Sequence, residues 1–317
     1  MRVRSEDAAA HPVAPAPVRR SRVRLADDER ALSRVLLAPA ILYVALLVGA
    51  PFVLAIVYSL TSISLGGHSF SFVGLQNFQA ALRDPSFRRA LGNTILFAFV
   101  SQILVLVLAS VLAIALQREF RGKWVVRLLI LLPWVAPISL GTIGWLWIFD
   151  SIYSVINWTL RALHIIGPST WPIWLGQPKL AMISIITVQV WRTLPLATVI
   201  LLGGLSGIPQ DIHDAAEVDG ARFFRHMFQI TVPLVLPISL VATLFGFVFA
   251  FTDMIVVYVL TRGGPFDSTQ VLASLAFFKS VDGGDLGGGA AVALFLLPVL
   301  AAAAVTMLHM ARRAEVT

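Results

Sequence analysis

Residues 180–205 read LAMISIITVQVWRTLPLATVILLGGL, and residues 206–231 read SGIPQDIHDAAEVDGARFFRHMFQIT. A bilayer core of about 30 Å takes about 20 apolar residues as helix. The first stretch meets that length, yet it carries Gln189 and Arg192 near its middle. The second is polar and acidic, and ends at Val232-Pro233, where another apolar run begins. Two apolar runs joined by a patterned polar segment describe an all-α membrane protein whose connecting loop is more than a tether.

The same test applied outward finds six runs, at 35–60, 91–116, 128–149, 180–205, 232–260 and 290–310. Each is too long for an ordinary strand, and the alternating segments of about 10 residues that build a membrane barrel are absent. Composition agrees. Of 317 residues 58% are apolar and 13% charged, where a soluble chain carries about 25% charged. So few charges cannot clothe a water-facing surface, which excludes a soluble enzyme. With no cysteine, disulfides, thiolate metal sites and thiol nucleophiles are excluded too.

The net charge of +7 falls on one side of a membrane rather than on a nucleic-acid surface. With the N-terminus cytoplasmic, the inner segments 1–34, 117–127, 206–231 and 311–317 hold 16 Lys and Arg, against 7 outside. That bias places both termini in the cytoplasm. Residues 1–34 read as a disordered and interfacial cytoplasmic segment, 35–310 as a six-span domain, and 311–317 as a cytoplasmic tail. A cleaved signal peptide is not expected, because the first apolar run starts late and is too long.

The 206–231 loop has its own pattern. Pro209 opens a helical stretch with Ile212, Ala215, Ala216 and Val218, and Asp219-Gly220 signals its end. Phe223, Phe224, Met227, Phe228 and Ile230 then form a broad apolar face. The loop reads as helix, glycine turn, helix; an interfacial amphipathic linker is the plainer alternative.

Asp214-Ala215-Ala216, three residues, Gly220, nine residues, Ile230, one residue, Val232-Pro233 resembles the Glu-Ala-Ala loop of ABC-importer permeases, with Asp214 for Glu and Val232 for Leu. Three further runs resemble the carbohydrate-uptake branch: Phe72-Val73-Gly74-Leu75-Gln76-Asn77-Phe78, the stretch from Asp84-Pro85 to Asn93-Thr94, and Leu260-Thr261-Arg262-Gly263-Gly264-Pro265. The resemblance implies a type I importer permease bundle that moves a sugar delivered by an external solute-binding protein. It implies a second permease subunit, making a heterodimer, and a cytoplasmic ABC ATPase dimer. Segment 209–231 would be the coupling loop, with Asp214, Ala215, Ala216, Glu217, Gly220, Ile230 and Pro233 meeting the ATPase. Gly263, Gly264 and Pro265 would lie in a receptor-facing loop.

Polar groups at membrane depth usually face a pathway or a partner. Asn93, Gln102, Gln189, Arg192 and Asp253 are therefore the candidates for a substrate path. Arg192 either lines that path or forms a structural pair with Asp253; the sequence leaves both open. Trp145 and Trp147 either stack on a sugar ring or belong to an interfacial aromatic belt. No catalytic residue, metal site or cofactor is expected. There is no phosphate-binding GxxxxGK[ST] loop, so ATP hydrolysis belongs to another subunit, and the six histidines show no metal-ligand spacing. A self-contained channel or secondary transporter is the rival reading; the latter would show inverted repeats and several intramembrane acids. Within the ABC class, a sugar phosphate, polyamine or amino acid is the alternative cargo.

Overall fold

A computed structural model describes residues 29–67 and 70–315. The expectations for residues 1–28 and for the last two residues lie outside that range. The chain divides into two compact units, 1–53 and 54–317. Helix α1, Leu32–Ser59, begins in the first unit, and its apolar window is unburied.

The second unit is helical among its described residues, with one isolated antiparallel bridge, Thr61 to Phe72. Its elements are α2 (Gln76–Arg83), α3 (Pro85–Gln117), α4 (Lys123–Val135), α5 (Ile138–Ile148), α6 (Val155–Ala162) and α7 (Pro178–Ser206). Then come α8 (Gln210–Val218), α9 (Phe223–Thr252), α10 (Ile255–Leu260), α11 (Leu272–Phe277) and α12 (Leu286–Arg313). Five helices are long and apolar enough to cross a membrane: α1, α3, α7, α9 and α12. The count becomes six if α4 and α5 form one span, and these two meet at 97°. The run 128–149 is thus not straight. Pro137 has no amide hydrogen to continue α4, and Ala136 before it is extended, as a pre-proline residue prefers.

Helix α3 shows how local chemistry sets the frame. Asp84 caps it by accepting from the Ser86 amide at 2.9 Å, and Pro85 occupies the first turn, where its missing N–H is harmless. Its buried stripe includes Ala90, Thr94, Ala98, Ser101, Val105, Ala109 and Ala113. Small residues about four apart let another backbone approach closely, which is the main source of helix association inside lipid. Helix α7 lies against this stripe and buries Ala181, Ser184, Ile185, Val188 and Gln189 in return. Helix α9 packs on both α3 and α7, and α12 on α9.

The run 232–260 also departs from expectation, because it is not one helix. Helix α9 stops at Thr252, Asp253 is extended, and α10 starts at Ile255. The Asp253 carboxylate accepts from the Val256 amide at 3.1 Å. A side-chain acceptor for the new helix's free amides makes the break tolerable inside an apolar bundle. Helix α10 then packs against α5.

Candidate functional site

Arg192 on α7 and Asp253 at the α9–α10 break form an ion pair, with Arg192 Nη1 donating to Asp253 Oδ2. The side chains are 19% and 4% exposed. One carboxylate therefore does two tasks, neutralising a cation and starting a helix. The two residues are 61 apart in sequence.

Two other polar candidates lie within the bundle. Gln189, on the same helix as Arg192, is fully buried, and neither amide atom has a protein partner among the described residues. Gln102 on α3 donates to the Thr243 carbonyl at 3.2 Å, and its Oε1 is unpartnered. Gly246 on α9 faces it: a Cβ there would run into the Gln102 amide. An unpaired buried polar group costs about 1–3 kcal/mol, so these atoms are places where water or a solute hydroxyl would be welcome.

Asn93 has a different task. Its Nδ2 donates to the carbonyls of Asp267 and Gln270 at 2.9 and 3.0 Å. Nearby, Ser86 Oγ donates to Asp267 Oδ2 at 2.8 Å, and Thr94 Oγ1 accepts from the Leu272 amide at 2.8 Å. The start of α3 thus holds the loop between α10 and α11. Within that loop Arg262, Gly263, Phe266 and Asp267 all have positive φ, and the Gly264–Pro265 peptide is cis. Thr269 Oγ1 donates to the Gly264 carbonyl at 2.7 Å. At Gly263 (φ +84°) a Cβ would collide with Gln270 Oε1. Phe266 projects from this scaffold, 87% exposed. Two sequence motifs far apart in the chain, 84–94 and 260–265, are therefore two sides of one construction.

The aromatic residues separate. Trp145 packs edge-on to Trp191 and stacks on Phe149, with ring centres 5.7 and 5.3 Å apart. Phe149 continues to Trp174, whose Nε1 donates to Asn157 Oδ1 at 2.9 Å. Of Trp145 and Trp147, Trp147 is the one with an exposed ring.

Segment 209–231 folds as helix, glycine turn, helix. Helix α8 ends in a Schellman motif: the Ala221 amide donates to the Ala216 carbonyl at 2.9 Å and the Gly220 amide to the Glu217 carbonyl at 3.0 Å. Gly220 has φ +69° with nothing within 4 Å of an added Cβ, so its requirement is conformational rather than steric. The paired alanines differ. Ala216 is buried within this chain, while Ala215 and Val218 are exposed, as are Asp214 and Glu217. The small side chain at Ala216 is used internally, and the outward surface of α8 is Ala215, Val218 and the acids. Ile230 lies in a π-turn, Met227–Thr231, at the start of α9, and Pro233 follows it.

One feature of this loop had no signal in the sequence. His213 Nδ1 and His226 Nε2 are 2.9 Å apart with their rings stacked, and His226 Nδ1 is 3.3 Å from Thr231 Oγ1. The pair clasps the two arms across Gly220. Two histidines thirteen apart show their proximity only once the turn is built.

Comparison with known proteins gives this arrangement its setting. The chain is 33% identical to the sulfoquinovosyl glycerol transport system permease protein of Agrobacterium fabrum, over 84% of this chain and 86% of the relative. It is 34% identical to the trehalose/maltose transport system permease protein of Thermococcus litoralis, over 76% and 80%. Its fold matches a chain of the crystal structure of a bacterial alginate ABC transporter in complex with alginate pentasaccharide-bound periplasmic protein. The TM-score is 0.77 at 18% identity, covering 92% of this chain and 98% of that one. The helices therefore have the type I ABC importer permease fold, and these relatives are transport subunits rather than enzymes. The family model for the inner membrane component of binding-protein-dependent transport systems matches residues 105–316, and this membrane protein belongs to that family.

Proposed function

We propose that this chain forms one half of the membrane pathway of an importer for a sugar or glycoside, delivered by an external solute-binding protein and driven by a separate ATPase. The observation that carries the cargo class is the agreement among relatives: a sulfoquinovosyl glycerol permease, a trehalose/maltose permease and the alginate transporter's fold. All three names describe polyhydroxylated cargo. The bundle supports the same reading. Gln189 and Gln102 carry neutral amides, which suit hydroxyl groups; both are covered within this chain, so a cargo would meet them only when the helices part.

In this reading both termini are cytoplasmic, α4 and α5 make the third of six spans, and a second, different permease subunit completes the path. The exposed acids of α8 dock on basic groups of the ATPase dimer. The loop carrying Gly263, Gly264 and Pro265 meets the solute receptor, with Phe266 as its projecting contact. ATP and loaded receptor must each bind one state of the bundle better than the other for transport to be coupled. The test is reconstitution with the neighbouring receptor and ATPase. Receptor loaded with a sugar or glycoside should stimulate ATP hydrolysis and uptake. Stimulation by phosphorylated or amino-acid cargo alone would refute the cargo class.

A further inference from the structure

Between α3, α7 and the start of α9 lies a cleft of about 420 Å³. Val107 and Val111 come from α3, Leu201 from α7, and Phe228 and Leu236 from α9. Its hydroxyls are already engaged. Ser110 donates to the Leu106 carbonyl at 2.7 Å, Ser239 to the Val235 carbonyl at 2.8 Å, and Thr231 bonds His226. A sugar would lose its hydrogen bonds here, and ordered water needs two to four polar partners. The cleft is built for hydrocarbon.

Its mouth is basic. A second recess shares Val111 and Ile114 with the cleft and adds Arg118, Phe120 and Phe223, together with the carboxylate Glu119. The connection beyond α3 also carries Arg121, and the first turns of α4 carry Lys123 and Arg127. Lys123 is occupied, donating to Glu119 at 2.6 Å and holding that carboxyl below its ordinary value. Arg118 is exposed, with no hydrogen bond or ion pair among the described residues. A free guanidinium beside an apolar slot matches an amphiphile with an anionic head, because guanidinium grips phosphate oxygens in pairs.

We propose that this cleft is a specific site for an anionic phospholipid of the surrounding bilayer, with an acyl chain between α3, α7 and α9 and the phosphate at Arg118. A helix from another protein fits less well. A helix is about 10 Å across and would leave the Arg118 guanidinium without an anion, whereas an extended acyl chain is far thinner and brings a phosphate with it. The π-turn Met227–Thr231 supplies part of the lining and connects through Thr231 to the His226–His213 clasp. An occupied cleft would therefore brace the arm of the loop that leads into α9. The site does not depend on the cargo.

The experiment is native mass spectrometry of the assembled transporter, equilibrated in detergent with phosphatidylglycerol or phosphatidylcholine. The wild type should retain phosphatidylglycerol in preference. Ser239→Phe, which fills the cleft, should lose the retained lipid. Arg118→Glu, a surface change that leaves the core intact, should lose the preference between headgroups. Wild-type retention by Ser239→Phe, no headgroup preference in the wild type, or ready cross-linking of Phe228→Cys to a second permease subunit would overturn the proposal. Failure of sugar uptake would leave these readouts unmoved, so the two proposals fail separately.

Discussion

The Arg192 guanidinium and the Asp253 carboxylate meet inside an apolar bundle, and the same carboxylate caps helix α10 through the Val256 amide. Removing one partner of such a pair leaves a buried charge, which costs about 3–5 kcal/mol. Arg192→Leu should therefore sharply reduce the yield of assembled complex and lower its melting temperature. Asp253→Asn on that background should restore much of both, since asparagine keeps the capping oxygen and drops the charge. Asp253→Leu should restore less, because it also loses the cap, worth about 1 kcal/mol. Equal rescue by Asn and Leu would show that the cap is idle. Full stability of Arg192→Leu alone would show that the pair is not structural.

The turn at Gly220 makes a graded expectation. Nothing stands near a Cβ at this position, so only the left-handed backbone discriminates. Gly220→Asn should be nearly neutral, because asparagine tolerates this conformation. Gly220→Ala should destabilise the turn by about 1 kcal/mol. Gly220→Pro should be severe, since it fixes φ near −65° and removes the amide that donates to Glu217. Receptor-stimulated ATP hydrolysis in reconstituted complexes should follow the order Gly, Asn, Ala, Pro. Wild-type coupling in Gly220→Pro would reduce this segment to a linker.

Much of this fold was legible because bilayer thickness writes itself into run length. The runs 91–116 and 180–205 lie within α3 and α7, and the glycine turn was visible as Asp219-Gly220. The break at Asp253 was hidden because apolar residues continue on both sides. Hydropathy does not register a carboxylate that turns back to cap the next helix. The 97° bend between α4 and α5 had only Pro133 and Pro137 as signals, and proline announces a kink without its angle. The partners of Arg192, Asn93 and His213 are set by tertiary packing, so no local pattern could choose between lining a path and holding a structure. Ala216 had the same ambiguity, since a small residue suits a close approach on either side of a helix.

Asn93 gives the third expectation. It ties α3 to the Asp267 and Gln270 carbonyls, and so holds the loop that displays Phe266. Asn93→Leu should leave helix content unchanged and make the 261–271 loop more susceptible to proteolysis. Affinity for the receptor should fall by about tenfold, the equivalent of 1.4 kcal/mol. Phe266→Ser should weaken the receptor equally without the proteolytic change. If Asn93→Leu impairs sugar translocation while receptor affinity and loop protection stay normal, the residue lines the path instead.

The two alanines of α8 should respond differently to substitution. Ala216 is buried in this chain and Ala215 is not. A bulky residue at Ala216 would overpack an internal contact, which typically costs about 1–3 kcal/mol. Ala216→Leu should therefore lower the stability of the permease itself, measured by thermal unfolding before any ATPase is added. Ala215→Trp and Val218→Asp alter only the outward surface, where substitutions usually change stability by less than about 0.5 kcal/mol. Both should leave the permease folded while releasing the ATPase on co-purification. Asp214→Lys with Glu217→Lys should do the same, and more strongly at low salt, where attraction between exposed charges reaches further. If Ala216→Leu folds normally and only the ATPase is lost, then α8 turns its buried face outward on assembly. The surface that meets the ATPase would then be the one this chain keeps covered.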